Sequence, residues 1–195
     1  MEKETIKERF LGTIFGQAVG DALGLSTEFM SKQEVDRFYP NGIEDYSQIV
    51  QDDHRRRWQR GDWTDDTDMM LCILDSFVAC QKVDILDIAR RFKEWMMNGG
   101  MGIGRHTYCL DDEKSMGYTL RTLGAALWAY WHATSYKEGI LKIVLSGGDA
   151  DTNAAVAGAI LGAKFGICHI PEEWKDGLLY ASMLHNKVQE FYAMV

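Results

Sequence analysis

Glycine stands at every fourth position of one segment near the start of this 195-residue chain, at Gly12, Gly16, Gly20 and Gly24. The apolar residues around these glycines recur at helical spacing, which predicts a helix over residues 5–25. A glycine inside a helix costs about 1 kcal/mol relative to alanine, so four on one face need a structural reason. A second segment carries a matching series of small residues, Ala150, Ala154, Gly158, Gly162 and Gly166. We predict that the two helices cross at very close range through these faces.

The other segments also follow helical periods, and no stretch alternates as a strand does. Further helices are predicted over residues 31–39, 65–81, 84–97, 118–133, 135–145 and 177–192. In the helix over 118–133, four large residues share one face: Leu120, Leu123, Leu127 and Tyr130. No linker, low-complexity tract or long repeat divides the chain. We therefore expect an all-α protein, a single-domain orthogonal helical bundle that spans residues 1–195.

Composition and charge exclude several classes of protein. The formal net charge of -8 argues against a general nucleic-acid surface, because such surfaces neutralise phosphates with lysine and arginine. No apolar run is long enough to cross a bilayer, and the charged N-terminus lacks the apolar core of a signal peptide. The four cysteines show no CxxC spacing, which is typical of free thiols in a reducing compartment. We expect a cytoplasmic protein that binds neither nucleic acid nor membrane.

Two clusters of hydroxyl and carboxylate groups each open an apolar helix. The first is Thr64, Asp65 and Asp66, and the second is Asp149, Asp151 and Thr152. Either cluster alone is explained as a helix cap, since Asp and Thr are common cap residues. Two such clusters indicate a shared cation, because packing like charges together is costly unless a cation neutralises them. Oxygen ligands without Cys or His favour Mg²⁺, Mn²⁺ or Ca²⁺.

Other polar residues leave two interpretations open. Asp21 either hydrogen-bonds the end of a neighbouring helix or belongs to the acidic site, and Glu28 is either a surface residue or a carboxylate aimed at metal-bound water. The run from His54 to Arg57 is either a solvated loop or a contact to phosphate or to an acidic partner. Residues 99–117 have no helical period and are the best candidate for a loop over a site.

Three segments, in this order, carry a resemblance to a known family: GTIFGQAVGDALGLSTEF, GDWTDDTDM and GGDADTNAAVAGAILGAKFG. Together they resemble the ADP-ribosylglycohydrolases. The resemblance implies an all-α fold with two divalent cations, Mg²⁺ or Mn²⁺, in a central cleft. It also implies hydrolysis of the glycosidic bond at the ribose C1″ of ADP-ribose, in an ADP-ribosylated protein or a small ADP-ribosyl conjugate.

Matched to the family, the positions of this chain acquire expected roles. The implied metal ligands are Thr64, Asp65, Asp66, Asp149, Asp151 and Thr152. Glu28 and Asp66 are implied in catalysis, where Glu28 either accepts a proton from water or protonates the leaving group. The implied substrate-binding residues are Gly102, Gly104, His106, Thr107 and Gly148.

The sequence also departs from the family pattern. Typical members are longer, and their middle glycine-asparagine-glycine motif followed by Met-Arg is not found here. The loss falls between Gly104 and Tyr118. Two functions therefore follow from the resemblance: a hydrolase, or a metal-containing module that binds ADP-ribose or a partner without turnover.

Overall fold

The structure, a computed structural model, describes residues 3–100 and 116–194, with side chains over 5–100 and 122–194. All regular structure in these residues is helical, as the sequence predicts. The helices are α1 Lys3–Gly24, α2 Lys32–Phe38, α3 Asp65–Cys80, α4 Ile85–Met97, α5 Met116–His132, α6 Tyr136–Val144, α7 Ala150–Phe165, α8 Glu172–Asp176 and α9 Ala181–Tyr192. Single 3₁₀ turns lie at Tyr46–Gln48, Arg55–Arg57 and Ile167–His169.

Side-chain caps fix several helix starts close to where the sequence predicts them. The Ser31 hydroxyl accepts the Glu34 N–H and the Glu34 carboxylate accepts the Ser31 N–H, which forms a capping box at α2. Asp84 accepts the N–H of Asp87 at 3.1 Å and so begins α4. These starts are set locally, which is why the sequence predicts them.

Helices α1 and α7 interlock through their small residues. A Cβ added to each glycine of α1 would lie 2.0–2.4 Å from a carbonyl oxygen of α7, closer than any ordinary Cβ contact. The pairs are Gly12 with Gly162, Gly16 with Gly158, Gly20 with Ala154 and Gly24 with Ala150. The predicted close crossing is confirmed, and only glycine allows it along α1.

The order of these pairs shows that α1 and α7 run antiparallel. The C-terminal end of α1 therefore lies beside the N-terminal end of α7, where the second acidic cluster begins. Helices α5 and α6 pack against α7, and α3 packs against α4. None of the helices in residues 3–100 and 116–194 is both long and apolar enough to cross a membrane.

Helix α5 buries its alanines and exposes its large residues. Ala126 and Ala129 are fully buried, whereas Leu123 and Tyr130 are 45% and 41% exposed. The leucine and tyrosine face noted in the sequence is thus the outer face of the helix. Because α7 presents mainly alanine and glycine, small residues on α5 let the two backbones come close.

Candidate functional site

The N-terminal ends of α3 and α7 carry the two acidic clusters. Thr64 and Asp149 are the N-cap residues of these helices, yet neither side chain hydrogen-bonds a backbone N–H of its own helix. The helix-cap interpretation is therefore wrong for both side chains. Their oxygens remain available for other contacts.

A buried carboxylate from α1 caps α3 instead. Asp21 is fully buried and accepts the backbone N–H groups of Thr64, at 3.1 Å, and Thr67, at 3.0 Å. Both threonine hydroxyls also donate to it, at 2.8 and 2.6 Å. The helix-end interpretation of Asp21 is confirmed. Since the Thr64 hydroxyl proton points to Asp21, the lone pairs of that oxygen are free to face a cation.

Asp66 connects the two clusters. Its carboxylate accepts a hydrogen bond from the Thr152 side chain, which joins the start of α3 to the start of α7. Burial raises the pKa of Asp66 to about 6; the Thr152 hydrogen bond opposes this rise, and the negative charges of Asp149 and Glu28 add to it. Carboxylates from three separate segments therefore lie within electrostatic reach of one another.

The same repulsion acts on two more carboxylates. Burial, followed by the charge of Asp66, raises the pKa of Asp21 to about 8. Burial also raises the pKa of Asp151 well above its ordinary value, with further contributions from Glu28, Asp21 and Asp66. A cation placed among these groups would offset the repulsion.

Glu28 lies in the turn that follows α1. Its Oε2 lies 2.6 Å from Nε2 of His54. The next residue, Phe29, has a φ of +61°, and its N–H donates to the carbonyl oxygen of Gly148 at 2.6 Å. The N–H of Gly148 donates in turn to Met30 at 2.9 Å. The Glu28 turn is thus joined to the glycine loop that precedes Asp149.

Two residues of the basic run, His54 and Arg55, contact Glu28, a role that the sequence left open. Arg55 is 2% exposed, and its guanidinium donates to the carbonyl oxygens of Leu25, at 2.9 Å, and Ser26, at 2.8 Å. It also donates to the carbonyl oxygen of Glu28. The solvated-loop interpretation is wrong for His54 and Arg55, and the acidic partner of His54 is Glu28 of the same chain. One sequence signal for the burial of Arg55 was available. Asp52 lies three residues before it, and in the structure its carboxylate pairs with the buried guanidinium.

The donor chemistry fits a hard divalent cation. The candidate ligands are oxygens, and Oδ1 of the buried Asp151 has no hydrogen-bond partner among the residues that the structure describes. In this conformation, however, residues 3–100 and 116–194 contain no group of three or more His, Cys, Asp or Glu side chains arranged to hold a metal ion. The dinuclear cleft stays a prediction.

The remaining predicted residues divide into two groups. Asp65 is the first residue of α3 and is partly buried. Gly148 has a φ of +71°, and among the residues that the structure describes no atom lies within 4 Å of the place where a Cβ would stand. Gly102, Gly104, His106 and Thr107 lie outside the described residues.

An aromatic and acidic pocket of about 390 Å³ adjoins Thr64. Its walls include Trp58, Trp63, Trp95, Tyr180, Asp62 and Asp68. The Asp68 carboxylate accepts the indole N–H groups of Trp63, at 2.9 Å, and Trp95, at 2.8 Å. Burial raises the pKa of Asp62 to about 6, and the charge of Asp68 adds to this rise. Two carboxylates and aromatic faces next to one another suit a cationic group.

Comparison with known proteins covers both halves of the chain. The ADP-ribosylglycohydrolase family model matches residues 2–112 and 105–194. An ADP-ribosylarginine hydrolase of Serratia proteamaculans is 37% identical over 84 residues, which are 43% of this chain and 23% of that protein. The ADP-ribosyl-(dinitrogen reductase) glycohydrolase of Rhodospirillum rubrum is 23% identical over 284 residues, covering 91% of this chain and 92% of that protein.

A solved structure supports the fold. It is described as an ADP-ribosylglycohydrolase-related protein complex, and it matches with a TM-score of 0.74 at 21% identity over 98% of this chain and 99% of that one. The matched segments span less than a quarter of the length of the two arginine hydrolases. The two family matches overlap at residues 105–112, inside the interval where the middle motif is missing. Because the matches extend over nearly the whole sequence, the chain belongs to the ADP-ribosylglycohydrolase family.

Proposed function

We propose that this protein is a hydrolase, dependent on Mg²⁺ or Mn²⁺, that cleaves the bond between ADP-ribose and an arginine side chain of a protein. The observation that carries the proposal is that Glu28, Asp66 and Asp151, from three segments, lie within electrostatic reach of one another. Family membership supports ADP-ribosyl hydrolysis, and two relatives are named ADP-ribosylarginine hydrolases.

Six residues would hold the cations: Thr64, Asp65, Asp66, Asp149, Asp151 and Thr152. Two cations, when bound, supply Lewis acidity toward water and orient the ribose hydroxyls. Their charge would also offset the burial and the repulsion that together raise the pKa of Asp66 and Asp151. The Oδ1 of Asp151, which has no hydrogen-bond partner in the described part of the chain, supports this assignment.

Glu28 performs the proton transfer in this proposal. Glycoside cleavage requires deprotonation of water and protonation of the leaving group, and Glu28 is suited to either step. The hydrogen bonds of the Phe29–Gly148 connection hold its turn against the glycine loop.

The aromatic and acidic pocket supports an arginine leaving group. A guanidinium is planar and cationic, so it binds both carboxylates and aromatic faces. Asp62 and Asp68 supply the negative charge, and Trp63 and Tyr180, with ring centroids 5.4 Å apart, supply the aromatic surface. Thr64 lies at the edge of this pocket and also at the proposed cation site.

The test is release of ADP-ribose from two matched peptides, one modified on arginine and the other on serine. We expect release from the arginine peptide with Mn²⁺ or Mg²⁺, and none with EDTA. Asp151→Asn should lower the rate at least a hundredfold, because removing an electrostatic contributor to catalysis typically costs that much. The proposal is wrong if the wild-type protein does not release ADP-ribose from the arginine peptide, whether or not it releases it from the serine peptide.

A specific observation also favours the binding module. The middle family motif is missing, and the described carboxylates do not form a ready coordination group. Calorimetry with ADP-ribose, run beside the hydrolysis assay, separates the two functions. Binding without release supports the module.

A further inference from the structure

The histidine beside Glu28 makes a directed hydrogen bond. His54 contacts Glu28 through Nε2 at 2.6 Å, and its Nδ1 contacts a terminal nitrogen of Arg57. A guanidinium only donates hydrogen bonds, so Nδ1 must accept from Arg57. The ring proton of the neutral histidine is therefore on Nε2, and His54 donates to the Glu28 carboxylate.

The imidazole is held from several sides. Its ring centroid lies 5.1 Å from that of Phe29 and 5.4 Å from that of Trp58. Arg57 also donates from Nε to the His54 carbonyl oxygen at 2.9 Å, and its guanidinium lies 4.5 Å from the centre of the Trp58 ring. The ring cannot turn without breaking these contacts, so the position of Nε2 is fixed.

Glu28 lies near two other carboxylates in the metal-free protein. The side chains of Asp66 and Asp151 lie close enough for the Glu28 charge to act on both. The donor at Oε2 restricts rotation of the Glu28 side chain, with or without bound cations, and leaves the second carboxylate oxygen for the reacting centre.

We propose that His54 is a positioning residue that holds Glu28 in place for proton transfer, with Arg57 fixing the tautomer of the imidazole. This inference rests on the proposed function, because it assumes that Glu28 takes part in hydrolysis. It goes beyond the family resemblance, which concerns Glu28 itself and assigns no role to the loop at residues 52–58.

Two variants separate positioning from packing. His54→Phe keeps an aromatic ring between Phe29 and Trp58 but has no donor, whereas His54→Gln keeps an N–H donor. For the ADP-ribosylarginine peptide, we expect kcat of His54→Phe to fall about tenfold to a hundredfold, with KM changed less than about twofold. His54→Gln should recover most of kcat. The exposed His169, changed to Phe, is the matched control and should keep the wild-type rate.

The outcomes are decisive because thermal melts accompany the kinetics. A wild-type kcat in His54→Phe would overturn the proposal, and so would equal losses in His54→Phe and His54→Gln, since the donor would then not matter. Loss of kcat in His54→Phe with an unchanged melting temperature, recovered in His54→Gln, supports positioning.

A second readout needs no catalytic activity. The ¹⁵N shifts of the His54 ring report its tautomer in the free protein, and we expect protonated Nε2 and unprotonated Nδ1. The opposite tautomer would overturn the proposal even in an active enzyme. Absence of hydrolysis in the wild-type protein would instead refute the proposed function, while the ring shifts still test the contact.

Discussion

The interlocked helices predict a strong effect from the smallest possible substitution, Gly16→Ala. The added Cβ would lie 2.2 Å from the carbonyl oxygen of Gly158. Carbon and oxygen atoms in close backbone contacts are ordinarily about 3.3 Å apart, so α1 and α7 must separate locally by about 1 Å. The obstructing atom belongs to the backbone and cannot rotate away.

The expected change in the free energy of unfolding is the difference between an overpacking cost and a gain in helix propensity. Overpacking a well-packed core costs about 1–3 kcal/mol, and a backbone clash lies at or above the upper end. Inside a helix, alanine is more favourable than glycine by about 1 kcal/mol, which offsets part of that cost. We therefore expect Gly16→Ala to lower the free energy of unfolding by about 2 kcal/mol or more. For a chain of this size that lowers the melting temperature by about 4–8 °C.

A glycine of α5 provides the matched control. A Cβ added to Gly124 would meet no atom of the described residues within 4 Å, so Gly124→Ala gains helix propensity without a clash among them. We expect this variant to gain about 0.5–1 kcal/mol. Urea unfolding, followed by far-ultraviolet circular dichroism, measures the free energy of unfolding of both variants. A Gly16→Ala protein as stable as Gly124→Ala would refute the interlocked interface.

Three further predictions concern the site and its pocket. Asp151→Asn should abolish Mn²⁺ binding in calorimetric titration without lowering the melting temperature of the metal-free protein, because it replaces a carboxyl group whose charged form burial disfavours and whose Oδ1 has no hydrogen-bond partner among the described residues. The free energy of unfolding of the metal-free protein, measured by urea unfolding, should fall as pH rises from about 4 to about 8. In the folded protein the pKa of Asp66 is about 6 and that of Asp21 about 8, whereas in the unfolded chain both lie near 3.8, so the unfolded chain releases these protons first. Bound Mn²⁺ should weaken that dependence. Asp68→Asn should lower the free energy of unfolding by about 1 kcal/mol, because its amide can accept only one of the two indole N–H groups now bound; an unchanged urea midpoint would contradict this.

The sequence predicts those parts of the fold that depend on local chemistry or on repetition. The spacing of Gly12 to Gly24 implies a close contact on steric grounds alone, and the structure confirms it. The capping box at Ser31 likewise depends on residues three apart. Such features depend on residues within a short segment of sequence, so they can be recognised without knowing the tertiary structure.

Contacts between distant segments could not be predicted in this way. His54 and Glu28 are 26 residues apart, and the loop that carries His54 has no period that indicates which way it faces. The sequence did not indicate which face of α5 is buried, for another reason. Its large residues suggest a core face by hydrophobicity, but the close approach of α7 selects Ala126 and Ala129 instead.

The position of the candidate site follows from the glycine interface. Because α1 and α7 are antiparallel and their contact continues to Gly24 and Ala150, the last turn of α1 reaches the first turn of α7. Asp21 lies one turn before that end and accepts hydrogen bonds from the start of α3. The ends of three helices therefore converge at one point, and the carboxylates they carry are brought together at an electrostatic cost. Side chains along the α1 face would separate these ends, so the glycines that weaken α1 as an isolated helix are the same residues that allow the acidic groups to meet.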